Sequence, residues 1–182
     1  GDYRLQGLSQ AEDTCLLAQA LETPAAQVDI RGAGTAMRFL TAYYAAGGGA
    51  HELTGSERMK QRPIGPLVEA LRSLGADIDY TEKEGFPPLR IRGQQLRGGC
   101  LHLSGGVSSQ YVSALLLIAP YLSSSLRLRL EGTIVSRPYI NMTLALMRHF
   151  GAQAGWEAQD TLTVAPVPYQ SAARYRVETD WS

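Results

Sequence analysis

One helical phrase occurs twice in this chain. Ile64, Val68, Leu71, Leu74, Gly75 and Ala76 return as Ile140, Leu144, Met147, Phe150, Gly151 and Ala152, at a constant offset of 76. Arg62-Pro63 returns as Arg137-Pro138 at an offset of 75. Upstream of each phrase a polar turn opens an apolar helix, at Gly34-Thr35 in the first copy and at Ser108-Ser109 in the second. A repeated unit buries its apolar faces against its neighbours, so the repeat constrains the fold more than any single motif does. Each unit reads as glycine turn, buried helix, strand, Arg-Pro loop, amphipathic helix, Gly-Ala stop and two strands. The first thirty residues read as the tail of a third unit, a helix and then one strand. Packed around a pseudo-threefold axis, the buried helices run parallel and gather their positive ends at one end of the domain. Such an end suits small anions, and the Arg-Pro loops are candidates for its rim.

Local signals fill in the units. Ser9-Gln-Ala-Glu12 is a capping box, and Cys15, Leu16, Leu17, Ala20 and Leu21 continue a helical face that Thr23-Pro24 stops. Val28 to Ile30 is a strand. Ala36 to Ala46 is apolar on more than one face, which predicts a buried helix, ended by Gly47-Gly48-Gly49. His51 to Thr54 is a strand, Gly55 to Arg62 a basic loop, and Pro63 takes the first position of the next helix. Strands follow at Ala76 to Thr81, Leu89 to Arg92, Cys100 to Leu103 and Ser125 to Glu131. After the second amphipathic helix come two more, near Gln153–Trp156 and Thr161–Val164.

The totals narrow the function. At 182 residues, 45% hydrophobic and 19% charged, the chain reads as one globular domain. Seventeen basic and seventeen acidic residues cancel, so no bulk field favours nucleic acid or a membrane surface, and any anion site must be local. Cys15 and Cys100 lie far apart and read as buried thiols of a reducing cytosol. His51, His102 and His149 are scattered, and each reads as structural. No spacing suggests a metal or a cofactor. No apolar run reaches membrane-span length and no signal peptide is visible. Without an initiator methionine, the chain reads as cut from something longer.

The second polar turn sits in Leu103–Pro120, where Gly105-Gly106 leads into Ser108, Ser109 and Gln110 and then a helix apolar almost all round. Glycine lets backbone N–H groups approach a ligand, and the helix start adds unpaired donors and partial positive charge. Two readings stay open here: a serine N-cap, or a cradle for phosphate or carboxylate. Arg62 offers a planar fork to such an anion. Arg38, Arg58 and Lys60 are either ligands too or solvated and locally paired. Ser136 reads as a helix N-cap.

Four segments carry a family resemblance. Gly34-Thr-Ala-Met-Arg-Phe39, Leu53 to Gly65, Ser108-Ser-Gln110 with Ala114-Leu-Leu, and Val135-Ser-Arg-Pro-Tyr-Ile140 closely resemble the 5-enolpyruvylshikimate-3-phosphate synthases, over nearly the whole chain. The resemblance implies an α/β fold, an inside-out barrel or prism of repeated βαβαββ units with parallel helices inside and sheets outside. It implies a transferase that moves the enolpyruvyl group of phosphoenolpyruvate to the 5-hydroxyl of shikimate 3-phosphate, in the cytoplasmic pathway to chorismate and the aromatic amino acids. It implies no cofactor and no metal. It assigns shikimate 3-phosphate contacts to Ser108, Ser109, Gln110, Ser136 and Tyr139, and phosphoenolpyruvate contacts to Gly34, Arg62 and Gln110. Gly34 is also the family position where substitution affects glyphosate competition.

The resemblance further implies that residues 1–182 are the N-terminal, shikimate-3-phosphate-binding domain, lacking its first strand and helix with their Lys-Ser…Arg motif. The C-terminal domain, with the carboxylates of proton transfer, is then the missing partner. No catalytic residue falls clearly in this chain, which is expected to be inactive alone and to bind substrate weakly. Asp180 aligns with an aspartate near the crossover between domains. Gly32 stands where many members have Asn, which removes a side-chain hydrogen bond. The related UDP-N-acetylglucosamine enolpyruvyl transferases use a loop cysteine, and the Gly55–Arg62 loop has none. A non-catalytic module that holds a phosphorylated metabolite on the same scaffold is the reading from another class.

Overall fold

A computed structural model describes residues 6–22, 25–171 and 175–177. Thr23-Pro24 and Asp180, singled out above, lie outside the described residues. The elements are α1 (Glu12–Glu22), β1 (Gln27–Asp29), α2 (Gly34–Ala46), β2 (Ala50–Thr54), α3 (Glu57–Lys60), α4 (Gly65–Ser73), β3 (Asp77–Tyr80) and β4 (Leu89–Arg92). The second half holds β5 (Gly99–Ser104), α5 (Ser109–Ile118), β6 (Leu126–Glu131), α6 (Arg137–His149), β7 (Ala154–Trp156) and β8 (Thr161–Val164).

The repeat is present as two βαβαββ units with the same topology. One sheet has the order β1-β2-β4-β3 and the other β5-β6-β8-β7, with the first pair parallel and the rest antiparallel in both. β1 therefore belongs to the first unit, not to the tail of a third. Its three residues pair with Glu52 to Thr54, as β5 pairs with β6. Strand patterning sets which face is inside. Leu126, Leu128 and Leu130 are buried while Arg127, Arg129 and Glu131 face out, as period two demands. The outer faces carry ion pairs such as Arg92 with Asp77 and Asp79, and Arg129 with Asp160.

Helices fill the inside. α2 and α5 pack on each other, with Met37, Leu40, Ala45, Leu115 and Leu116 fully or almost fully buried. Their first turns are joined by a 2.9 Å hydrogen bond from Gln110 Nε2 to Thr35 Oγ1, so both positive ends meet at one place. α4 and α6 pack on α5 from outside, and the Ser113 and Thr143 hydroxyls, 2.7 Å apart, join α5 to α6. Both amphipathic helices end alike. Gly75 and Gly151 have positive φ, and the next residue, Ala76 or Ala152, donates back to Leu71 or Met147.

Several local expectations are corrected. α1 begins at Glu12, and Ser9 Oγ accepts from Ala11 N instead of closing a capping box; Glu12 pairs with Arg31 at 3.0 Å. Pro63 is not helical: α4 starts at Gly65 with Pro66 in its first turn, because Ile64 and Gly65 donate to Gly85 O. The basic loop contains one helical turn, α3, capped by Ser56. Cys15 and Cys100 are exposed, since both fall on solvent-facing sides of their elements. His51 is buried against Tyr44, with both ring nitrogens near backbone carbonyls, as a structural histidine should be. No helix among the described residues is long and apolar enough to cross a membrane.

Candidate functional site

The site is built where α2 and α5 begin. α2 starts at Gly34 with Ala33 as a cap that offers no side-chain acceptor. The first-turn amides of such a helix have no partner inside the helix. α5 is capped by Ser108, whose hydroxyl accepts from Gln110 N at 3.3 Å. Both readings of the Ser108 turn therefore coexist: Ser108 caps the helix, yet it stays exposed, with Ser109 and Gln110 half-buried beside it. Gln110 spends one amide hydrogen on Thr35 and keeps its oxygen free of protein partners among the described residues.

Arg62 reaches this place from the loop before α4. Its guanidinium lies against Gly34: a Cβ at position 34 would stand 2.9 Å from Arg62 Cζ and closer still to Nη1. Only a residue without a side chain leaves that room. The Arg62 side chain is exposed and makes no hydrogen bond or ion pair among the described residues. A cation beside a helix start, with no ion pair among the described residues, has the chemistry to take an anion.

Buried groups hold that loop in place. Arg38, four residues after Gly34, is 4% exposed and donates to Gly34 O at 3.1 Å and to Pro63 O at 3.2 Å. The Tyr111 hydroxyl donates to the same Pro63 carbonyl at 2.6 Å. Arg38 Nε is buried without a partner. Burial pushes the Arg38 pKa down from the ordinary arginine range, neighbouring Tyr111 opposes this, and nearby Arg62 lowers it further. Arg38 is thus not solvated, and it pairs with no carboxylate among the described residues. The sequence signal was a lone charge on an otherwise apolar helix; Tyr111 and Thr35 gave no such signal.

The other expected residues divide. Lys60 is neutralised by Glu82 at 2.9 Å and Glu57 at 3.4 Å, and the first of these holds its pKa above the usual lysine range. Arg58 is exposed with no ion pair among the described residues. Ser136 is the N-cap residue of α6 but makes no side-chain cap bond, and its hydroxyl has no hydrogen-bond partner among the described residues. Its segment is tied to the glycine turn through Val135 N and Gly105 O. Tyr139, one turn on, is 62% exposed. Arg137 is not at the rim with Arg62: it stacks 4.0 Å over the Trp156 ring and donates to Gln159 O on the β7–β8 hairpin. At Gly32 a Cβ would meet open space, so no packing demands glycine there. No group of three metal-ligating side chains is gathered among the described residues.

Comparison with known proteins gives the family. The sequence model of the family described as EPSP synthase (3-phosphoshikimate 1-carboxyvinyltransferase) matches residues 6–182. A 3-phosphoshikimate 1-carboxyvinyltransferase of Bacteroides fragilis strain YCH46 is 54% identical over 182 residues, all of this chain and 44% of the relative. One of Pseudoalteromonas translucida is 44% identical over 162 residues, covering 88% of this chain and 38% of the relative. The chain thus spans less than half the length of the curated relatives it matches. A solved EPSP synthase of Acinetobacter baumannii superposes with a TM-score of 0.69 at 27% identity, over 79% of this chain and 31% of that one.

Proposed function

The chain belongs to the EPSP synthase family, and on that premise we propose that it supplies the shikimate-3-phosphate side of an enolpyruvyl-transfer site. The observation that carries this reading is Arg62, an exposed guanidinium with no acid partner among the described residues, lying on Gly34 where two helix starts meet. In the proposed complex Ser108, Ser109, Gln110 and Ser136 bind the phosphate and ring of shikimate 3-phosphate, and Tyr139 lies along the ring. Phosphoenolpyruvate sits against Gly34, between Arg62 and Gln110. The fork of Arg62 takes two oxygens of an anion, and charge-assisted bonds of this kind are each worth roughly 1.5–3 kcal/mol.

The reaction adds the 5-hydroxyl of shikimate 3-phosphate to the enolpyruvyl carbon and then eliminates phosphate. A proton must reach the methylene carbon, and one must leave the hydroxyl. None of the residues gathered at this rim is a carboxylate, so those groups belong to the rest of the enzyme, the C-terminal domain. This chain orients the two anions and screens their mutual repulsion, which lowers the cost of bringing them together. Both ligands are water-soluble phosphorylated acids, which fits a reaction in the cytoplasm.

The test is a titration of this chain followed by amide chemical shifts. Shikimate 3-phosphate at millimolar concentration should move the Ser108–Gln110 amides, and phosphoenolpyruvate the Gly34–Ala36 amides. Arg62→Met should weaken the second effect by about tenfold or more. Unmoved amides at both turns would overturn the reading. So would release of phosphate from the two substrates by this chain alone at the rate of a whole synthase, since the missing proton groups would then be unnecessary.

A further inference from the structure

A second chemical constellation lies on the outer face of the second sheet, outside the anion site. Cys100 and His102 alternate along β5 and point to the same side, both exposed. Cys100 Sγ is 3.7 Å from His102 Nε2. On the other side of the ring, His102 Nδ1 is 3.0 Å from Glu131 Oε1, at the end of the paired strand β6. The three groups form a line, thiol to imidazole to carboxylate, and do not surround a common point as metal ligands would. The order has chemical meaning. A carboxylate at Nδ1 accepts the Nδ1 proton and leaves the lone pair on Nε2, facing the sulfur. The thiol can then donate to Nε2, and an imidazole in that position takes the proton when the sulfur reacts. Two paired strands hold all three residues, so the alignment does not depend on a loop.

The sulfur also has room for a reaction partner. A groove of about 430 Å³ runs beside it, with Pro66 and Glu69 of α4 on one wall, Cys100, His102 and Ser104 of β5 on the other, and Val107 at one end. β5 is an edge strand of its sheet. On its unpaired side it has no strand partner among the described residues.

We propose that Cys100 is a reactive thiol which forms a mixed disulfide with small peptide disulfides seated in this groove. In the step, His102 Nε2 takes the proton from Cys100 Sγ, and the resulting thiolate attacks one sulfur of the small disulfide. The S–S bond of that molecule breaks and a new one forms to Cys100. The departing thiolate takes the proton from His102. Cys100 is oxidised, one half of the small disulfide is reduced to a thiol, and no further oxidant is needed. Glu131 is a positioning residue that acts through His102.

Cys15 provides an internal control, because it is also exposed but has no histidine or carboxylate among its hydrogen-bond partners in the described residues. Incubated with oxidised glutathione near neutral pH and followed by peptide mass spectrometry, Cys100 should form its adduct about tenfold faster than Cys15. His102→Ala should bring Cys100 down to the Cys15 rate, and Glu131→Gln should give a rate between the two. Both substitutions are on an exposed sheet face, and circular dichroism confirms that each variant is folded. In strong urea the ratio between the two cysteines should fall close to one. Equal rates in the folded protein, an unchanged Cys100 rate in folded His102→Ala, or a preference that survives in urea would each overturn the proposal.

Discussion

The two repeats share a topology and differ at one entrance. α4 and α6 end at equivalent residues, Ser73 and His149, yet α4 has 9 residues and α6 has 13. The difference of four is one helical turn, and it lies at the start. Residues 137–140 of the second repeat are helical, whereas residues 61–64 of the first precede the helix. At the offset of 76 that the helix ends define, Arg62 corresponds to Pro138, so the two Arg-Pro pairs are one residue out of step. Unwinding that turn releases Arg62 to lie on Gly34. Keeping it wound leaves Arg137 on Trp156, where it serves the sheet. One scaffold thus gives two arginines different work, and the cost of the unwound turn is met by bonds from Arg38 and Tyr111 to the Pro63 carbonyl.

The largest effect expected from that difference is at Arg38. Arg38→Met removes bonds to the buried Gly34 carbonyl and the part-buried Pro63 carbonyl and leaves Tyr111 alone on Pro63, which should cost about 3 kcal/mol in urea unfolding. Retention of full stability would mean that the unwound turn does not depend on this clamp. Next comes Gly34→Ala. The added methyl meets the far end of Arg62, a flexible side chain, so the fold should survive while the guanidinium is displaced. Phosphoenolpyruvate affinity should drop by roughly three- to tenfold, with the thermal midpoint nearly unchanged. A loss of stability without a loss of affinity would break the assignment of Arg62 to the ligand.

Arg137→Met tests the other side of the comparison. It removes a cation–π contact and should lower stability by about 0.5–1 kcal/mol, with no change in anion-induced amide shifts. A shift in phosphoenolpyruvate affinity would return Arg137 to the rim. The smallest effect belongs to Gly32→Asn. Open space surrounds that position, so stability should stay within about 0.5 kcal/mol. Any gain in phosphoenolpyruvate affinity reports the side-chain bond that this chain lacks.

Much of the fold was legible because it rests on patterns within short windows. The alternation of Leu126 to Glu131, the spacing from Ile64 to Leu74 and the Gly-Ala exits at residues 75–76 and 151–152 each state their structure locally. The misplacements came where a distant group competes with a local signal. Pro63 looked like a helix start until Gly85 O, Arg38 and Tyr111 fixed the segment as a loop. Val28 looked like the end of one unit until its pairing with β2 assigned it to the next. Cys15 and Cys100 looked buried because small thiols usually are, and only their positions on solvent-facing sides decided otherwise.

The sequence by itself determined the repeat, the strand and helix faces, and the polar turns at Gly34 and Ser108, since these depend on residue type and spacing along the chain. It also carried the residues that mark the family. Tertiary structure alone decided which cations stay free of carboxylates. Lys60 is neutralised by Glu82 and Arg38 is locked onto carbonyls, whereas Arg62 lies on Gly34 with no ion pair among the described residues. Charge pairing depends on distances of a few ångströms between segments far apart in sequence, and no periodicity encodes them.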